Sequence, residues 1–356
     1  MATVVVAMSG GVDSSVAAAV LKDQGHDVIG VNLRLYSKAN ADAYRLSKQC
    51  CTLDSMRDAE AVCRRIGVPF YALNMEREFA NDVVEYFVGE YVQGRTPNPC
   101  VACNAHIKFK HLFSRALALG ADYIATGHYA RVHHTPEGAR LLTGVDPDKD
   151  QSYALYMLGP GELSRTLLPI GEQTKTETRR LAAEFGLVTA KKPESQDICF
   201  IPDGDYRSFV RKLAPQAVAP GPIKDSSGRE LGRHQGVAFY TVGQRKGLGV
   251  QGPQPLYVTR VDARNNTVVV GRKEELASRR LVLEGVSFTD GRSLSEPLET
   301  DVKLRYRGAS VPAVLTPVVE GRVDLELLAS GSVSPGQAVV FYRGEEVLGG
   351  GKVASA

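Results

Sequence analysis

No stretch of the 356-residue chain approaches the roughly 20 apolar residues that a membrane-spanning helix needs. The opening residues, MATVVVAMSGG, carry no basic segment and no small-residue cleavage site, so neither a secretion signal nor a membrane partner is expected. Six cysteines (Cys50, Cys51, Cys63, Cys100, Cys103, Cys199) are too few to staple a chain this long. Thiols in a reducing cytoplasm are expected instead. No repeat or low-complexity tract is visible. Neither sign of charge dominates, with 43 Lys and Arg against 40 Asp and Glu. The small basic excess falls in residues 201–356, which is compatible with an anionic partner without requiring one.

What is present is patterned. TVVVAM reads as a buried parallel strand, SGGVDSS as a turn, SVAAAVLKDQG as a helix stopping at Gly25, and DVIGVNLRL as a second strand. The alternation continues through helical DSMRDAEAVCRRIG, strand VPFYALNM, helices EFANDVVEYFVGEYVQG and NAHIKFKHLFSRALALG, strand ADYIATGH and helix TKTETRRLAAEFG. This predicts a doubly wound α/β parallel sheet over residues 1–205. Beyond it the chain becomes rich in Pro, Gly and short alternating runs, among them two strands around Asn265-Asn266. A small mixed module at 206–277 and a β-barrel at 278–356 are expected.

The turn Ser9-Gly10-Gly11-Val12-Asp13-Ser14-Ser15 stands where parallel sheets bind ligands, between a strand's carboxyl end and a helix N-terminus. Paired glycines let backbone N–H groups turn inward and the helix dipole adds positive potential, which together suit a phosphate. A Walker loop is excluded because no G-x-x-x-x-G-K-[ST] occurs. NAD is disfavoured because no G-x-G-x-x-G occurs and the second strand ends Val31-Asn32-Leu33-Arg34 without a carboxylate. Asp13 suits a Mg²⁺ carried by the nucleotide. The bland alternative is an ordinary βα turn with Asp13 and Ser14 as helix caps.

A second stretch, TPNPCVACN at 96–104, holds Cys100 and Cys103 as a C-x-x-C pair. Half a zinc site, a redox couple, or one catalytic thiol with a neighbour would each look like this. Zinc lacks a second spaced pair, and His106 and His111 are five residues apart, about 140° around an α-helix. No bound metal is therefore expected. Nothing thioredoxin-like surrounds the pair.

The loop fits SGGxDS and resembles the PP-loop (N-type) ATP pyrophosphatase superfamily, which implies ATP cleaved between its α- and β-phosphates. TPNPCVACNAHIKFKHL, DYIATGHYARV, DKDQSYALYML, ESQDICFIPDGDY, TVGQRKGLG, KLRYRG and PGQAVVFY together resemble the tRNA-specific 2-thiouridylases, in order along nearly the whole chain. That resemblance implies replacement of the 2-oxygen of the wobble uridine by sulfur. A pyrimidine C2 carbonyl is a poor electrophile, so ATP would first convert its oxygen to an adenylate. Sulfur would then arrive as a cysteine persulfide and expel AMP.

By residue, the resemblance implies ATP with Mg²⁺ on Ala7, Met8, Ser9, Gly10, Gly11, Val12, Asp13 and Ser14, with Leu33 beside the adenine and Gly127 near the nucleotide. Asp13 counts also as catalytic. Cys103 would be the nucleophile and Cys199 the persulfide carrier. Asn98, Pro99 and Cys100 would hold the target base in a proline-stiffened loop, Cys100 being otherwise a bystander. His128, Lys149, Asp150, Gln151, Arg305, Tyr306 and Gln337 would contact tRNA, with Arg305 and Arg307 on one face of a strand. The implied partners are tRNA and a sulfur donor, either a cysteine desulfurase or a sulfur-relay carrier. Three other readings stay open: another PP-loop tRNA thiolase, an amide-forming ligase resembling GMP synthetase, and a tRNA-binding module with a regulatory nucleotide loop.

Overall fold

The computed structural model describes residues 1–36, 53–194, 198–201, 204–250, 252, 254–318 and 321–355. Cys50, Cys51 and the Ser195-Gln196-Asp197 part of the ESQDICF block lie outside the described residues.

The apolar run of β1 (Thr3–Ala7) leads through the glycine turn into α1 (Val12–Asp23). Gly25, at φ +84°, ends the helix and turns the chain into β2 (Asp27–Arg34). The unit repeats with α2 (Leu53–Ile66) and β3 (Phe70–Asn74). Two long helices follow. α3 runs through Glu76–Phe79, Ala80–Glu85 and Tyr86–Val92, and α4 through Pro99–Ala102, Cys103–Leu112 and Phe113–Ala118. Next come β4 (Tyr123–Ala125), a hairpin of β5 (Ala130–Thr135) and β6 (Gly138–Thr143), the short β7 (Thr166–Leu167) and α5 (Lys175–Glu184). The start of α5 is set by a reciprocal cap between Thr174 and Glu177.

Strands β3-β2-β1-β4-β7 form one sheet in that order, every neighbouring pair parallel. Successive strand side chains face opposite sides. Val4 and Val6 therefore pack with α1, α2 and α5 through Val16, Val62 and Ala182. Val5 packs on the other side with Phe79, Phe87 and Ile107 of α3 and α4. Both faces are covered, which is why β1 reads as an unbroken apolar run rather than an alternation. This is the doubly wound sheet expected from the sequence.

A four-stranded module follows α6 (Tyr206–Leu213). It comprises β8 (Gly221–Asp225), β9 (Glu230–His234), β10 (Tyr257–Asp262) and β11 (Thr267–Gly271), in the order β10-β11-β8-β9. The last strands are β12 (Ser278–Phe288), β13 (Leu298–Lys303), β14 (Ser310–Pro317), β15 (Val323–Gly331), β16 (Ala338–Arg343) and β17 (Glu346–Ser355). Their order β12-β15-β14-β13-β16-β17 is closed by pairing of β12 with β17, giving a barrel. Leu283, Val302, Leu315, Leu325 and Phe341 fill it.

Two sequence expectations are corrected here. Arg305-Tyr306-Arg307 do not lie on a strand: β13 ends at Lys303 and Gly308 N–H donates to Arg305 O at 3.0 Å, so the strand-face argument for Arg305 and Arg307 does not apply. TPNPC is not simply a loop either. Pro99 is the first residue of α4, and the Asn98 side chain caps it by accepting from Cys100 N–H and Val101 N–H. Proline's fixed φ and an Asn cap favour a helix start at this point. The β5–β6 hairpin went unread in the sequence, and it joins the barrel's sheet edge where Leu142 pairs with Glu346. Among the described residues no helix is long and apolar enough to cross a membrane.

The segment leading into α4 is held by the barrel. Thr96 N–H donates to Pro335 O at 2.7 Å. Buried Glu90 pairs with Arg95 and with Lys352 of β17, and Lys352 also reaches Glu284 of β12 at 3.3 Å.

Candidate functional site

Strand order reverses between β1 and β4, so the loops after these two strands open a crevice at the sheet's carboxyl edge. The loop after β1 is the glycine turn. Gly10 sits at φ +74°, and a Cβ there would meet Ser55 O at 2.0 Å, so only glycine fits. Gly11 is the residue before α1, and no side chain caps the helix. The bland reading in which Asp13 and Ser14 serve as caps therefore fails, and the first-turn N–H groups of α1 are left to attract an anion. Ser9 and Ser14 hydroxyls lie 3.2 Å apart, and Ser14 Oγ accepts from Ser9 N–H. After β4 comes Gly127, where a Cβ would meet Ser14 N at 2.5 Å. The two loops thus touch backbone to backbone.

Charge is concentrated behind the turn. The Lys175 ammonium, at the start of α5 and buried, donates to both oxygens of Asp13 at 2.7 and 2.9 Å. Tyr129 OH donates to the same carboxylate at 2.9 Å. Burial, followed by the Asp13 charge, pushes the Tyr129 phenol far above its ordinary range, so it stays a donor. Lys192 Nζ donates to Gly10 O at 2.9 Å and pairs with Asp58. Glu194 gathers Lys149 (2.8 Å), Lys175 (3.4 Å) and Arg179 (3.7 Å). The hydrogen bond from Lys149 is the largest effect on its carboxyl; burial opposes it, and the Lys175 and Lys149 charges add to it, so the group is held below the usual range. These interactions fix several cations around a turn that itself presents N–H groups.

A cavity of about 340 Å³ opens from the turn toward α4. Of the residues expected to form the site, Ala7, Met8, Ser9, Asp13, Ser14, Leu33, Pro99, Cys100, Cys103, Gly127, His128, Gln151 and Cys199 all line it. Gly10, Gly11 and Val12 shape the turn without lining the cavity. Asn98 acts as the α4 cap. Lys149 is paired with Glu194. Asp150 accepts from Gly144 N–H, Ser152 N–H and Ser152 Oγ at 3.0, 3.0 and 3.1 Å, and so organises its own turn. Arg305 donates to Ser332 O at 3.1 Å, Tyr306 is half-exposed against the edge of Tyr153, and Gln337 accepts from Ser334 N–H at 3.5 Å. The structure does not bring these last residues to the cavity.

Cys63, Cys100, Cys103 and Cys199 are all thiols here. Burial pushes the Cys103 thiol up to about 11, with Lys108 pulling the other way and Cys100 adding to the rise. At neutral pH Cys103 is thus a protonated thiol, and Lys108 is the cation placed to lower that barrier. His128 lies between Thr126 Oγ1 (2.6 Å from Nδ1) and Lys108 Nζ (3.4 Å from Nε2). An ammonium has only protons to give, so Nε2 is the acceptor and Nδ1–H donates to Thr126. Burial, then Lys108, keeps this imidazole neutral, well below its usual range.

Cys103–Leu112 is wound with i→i+5 hydrogen bonds, so the 140° separation of His106 and His111 expected from α-helix geometry does not hold. Both rings feel Asp82, with His111 Nε2 2.9 Å from its carboxylate. Even so, no group of three or more His, Cys, Asp or Glu able to hold a metal occurs among the described residues.

Sequence reasoning missed Lys108, Thr126, Asn32 and Asn104, which also line the cavity. It also missed Tyr129 and Lys175 beside Asp13. Asn32 donates to Met8 O at 2.7 Å and so ties β2 to the turn. Lys175 had one available signal, its place directly after the capping Thr174. Its partner 162 residues earlier had none.

Three family models match in succession: a tRNA methyl transferase HUP domain over residues 2–203, a tRNA methyl transferase PRC-barrel domain over 207–272, and an aminomethyltransferase beta-barrel domain over 278–353. Among curated proteins, the tRNA-specific 2-thiouridylase MnmA of Roseiflexus castenholzii is 48% identical over 372 residues, covering 99% of this chain and all of that one. Those of Geobacter metallireducens and Pelotomaculum thermopropionicum are 49% and 45% identical, each over 99% of this chain and 97% of the relative. The model descriptions speak of methyl transfer and the relatives' names of thiolation.

Proposed function

The chain belongs to the tRNA-specific 2-thiouridylase family, and from that premise we propose how its own residues carry out ATP-dependent thiolation of tRNA. The carrying observation is that an uncapped glycine turn at the sheet's switch point and two thiols from distant parts of the chain, Cys103 and Cys199, line one cavity. A phosphate cradle beside thiols supports thiolation over methyl transfer. Activation by ATP followed by sulfur delivery uses both features, and methyl transfer uses neither.

The N–H groups of Gly11 to Ser14, with the Ser9 and Ser14 hydroxyls, hold the phosphates, and Leu33 gives an apolar shelf for the adenine. Lys175 and Lys192 stand behind the turn to balance the charge. Asp13 is the carboxylate that would meet a Mg²⁺ carried by the nucleotide, whose role is to neutralise phosphate charge. The C2 oxygen of the wobble uridine is presented over Cys103, with Pro99, Cys100, His128 and Gln151 shaping the space around the base. Cationic Lys108 can donate toward the developing charge on that oxygen and lower the Cys103 thiol, while neutral His128 accepts from Lys108 through Nε2 and so positions it. Cys199 carries a persulfide from a cysteine desulfurase or relay protein. Cys103 attacks its inner sulfur, and the sulfide released attacks C2 and expels AMP.

The parts at 206–277 and 278–356 hold the rest of the tRNA, with Lys149, Asp150, Arg305, Tyr306 and Gln337 on the nearer surfaces, in a reducing cytoplasm. The test is direct: combine protein, ATP, Mg²⁺, a persulfide donor and tRNA, then measure 2-thiouridine by mass spectrometry. An unmodified wobble uridine in the presence of an active donor would sink this reading.

A further inference from the structure

Cys100 of the C-x-x-C pair in α4 shapes the space around the base, but the reaction above gives its thiol no chemistry. Cys100 is the most exposed of the three thiols lining the cavity, while Cys103 and Cys199 are half-buried. Cys100 and Cys103 are three residues apart within one continuous helix, hence on neighbouring turns of the same face. Asn98 and Pro99 lock that first turn. Cys199 arrives on the separate stretch Ile198–Ile201, where Phe200 packs edge-on against Phe79 and Phe87 of α3.

On the reading above, each released sulfide leaves a Cys103–Cys199 disulfide. That bond would tie the Ile198–Ile201 stretch to α4 across the cavity, at the place where the base must leave and the next persulfide must be loaded. A Cys100–Cys103 bond lies within one helix and ties nothing across the cavity.

We propose that Cys100 is a resolving thiol, which takes over the disulfide and returns Cys199 to its reduced state before the protein meets an external reductant. This rests on the released-sulfide reading of Cys103 and Cys199. In the step, the Cys100 thiolate attacks Cys103 Sγ, a Cys100–Cys103 bond forms, and the Cys103–Cys199 bond breaks with Cys199 leaving as thiolate. One disulfide replaces another, so the step itself needs no oxidant or reductant. A dithiol reductant then opens the Cys100–Cys103 bond with two electrons and becomes a disulfide itself. The exposed position of Cys100 gives that reductant its point of attack. The attack on Cys103 is intramolecular from the adjacent helical turn, which favours it over any encounter in solution.

The experiment is a single turnover of the full-length protein, persulfide-loaded, with ATP, Mg²⁺ and tRNA and no added reductant. The reaction is quenched in acid, alkylated, and its disulfides mapped by peptide mass spectrometry. Wild type is expected to accumulate the Cys100–Cys103 linkage and Cys100→Ser the Cys103–Cys199 linkage. With limiting dithiol, the ratio of later turnovers to the first falls on the order of tenfold in Cys100→Ser. A wild-type protein that ends as Cys103–Cys199 overturns the role of Cys100 and leaves the released-sulfide reading standing. Thiolated tRNA with no protein disulfide at all overturns both.

Discussion

Replacing Gly127 with alanine adds one methyl group at the point where the two site loops touch. The added Cβ would lie 2.5 Å from Ser14 N, 2.6 Å from the Asp13 carbonyl carbon and 2.9 Å from Asp13 O. Ordinary contact begins near 3.4 Å, so a gap of about 0.9 Å has to open between the end of β4 and the start of α1. Every atom it meets is backbone, so no side chain can swing aside. α1 is anchored by Val16, Ala17 and Leu21 in the core, and β4 is paired with β1. The strain therefore falls on the turn itself. Overpacking of this kind costs about 1–3 kcal/mol, and at about 2–4 °C per kcal/mol for a domain of this size the Tm should fall by about 2–12 °C. A shift approaching 1 Å in the N–H groups proposed to hold phosphate should weaken binding of a non-hydrolysable ATP analogue by about tenfold to a hundredfold. Gly89→Ala is the matched control. Gly89 lies inside α3 with open space where its Cβ would go, and alanine is favoured in a helix by about 1 kcal/mol. Its Tm should hold or rise slightly, with nucleotide affinity unchanged. Thermal unfolding and titration calorimetry on the two variants decide the matter. If Gly127→Ala keeps wild-type Tm and affinity, the close approach of the two loops is not what shapes the site.

Lys175→Met removes the buried cation that holds both Asp13 oxygens. ATP-dependent pyrophosphate release should drop by about a hundredfold or more, and an unchanged rate would remove Lys175 from the site. In protein whose other thiols are blocked or replaced, alkylation of Cys103 should climb about tenfold per pH step up to about pH 11, because burial favours its protonated form. Lys108→Met should slow it further, and a rate that levels off near pH 8 would contradict the buried-thiol picture. Gly30→Ala should cost about 1–3 kcal/mol, since its Cβ would lie 2.3 Å from Cys63 Sγ. Adding Cys63→Ala should recover at least about 1 kcal/mol of that in a double-mutant cycle by urea unfolding, whereas strictly additive costs would show that the two do not touch. Glu90→Gln should destabilise by about 2–3 kcal/mol, because Arg95 and Lys352 lose their most buried partner, and a change under about 0.5 kcal/mol would deny the barrel contact any weight.

Much of the site was legible because its signals are local. A β-branched run followed by paired glycines specifies a buried strand and a tight turn by its own sterics, and Ser9 to Ser14 fall where that reading puts them. Local rules also explain the misreadings. Asn98-Pro99 is a strong helix-start signal that fits a stiff loop equally well, because prolines also stiffen loops. α-Helix geometry separates His106 and His111, but the segment adopts a wider winding. Arg305 and Arg307 alternate as residues on one strand face would, but β13 ends at Lys303, two and four residues earlier, and the turn closed by Gly308 takes over.

By itself the sequence determined the parallel sheet, the glycine turn at the end of β1 and the family, since each rests on residues close together or on blocks in fixed order. Only the tertiary structure decided which distant groups meet. Lys175 reaches Asp13 across 162 residues, and Cys199 shares a cavity with both members of the C-x-x-C pair. The barrel grips the segment that leads into that pair through Pro335 and Lys352. The physical reason is that turn and strand preferences arise from steric contacts over a few residues, whereas a buried ion pair or a shared cavity depends on how the sheet's connections cross. No spacing in the chain records those crossings.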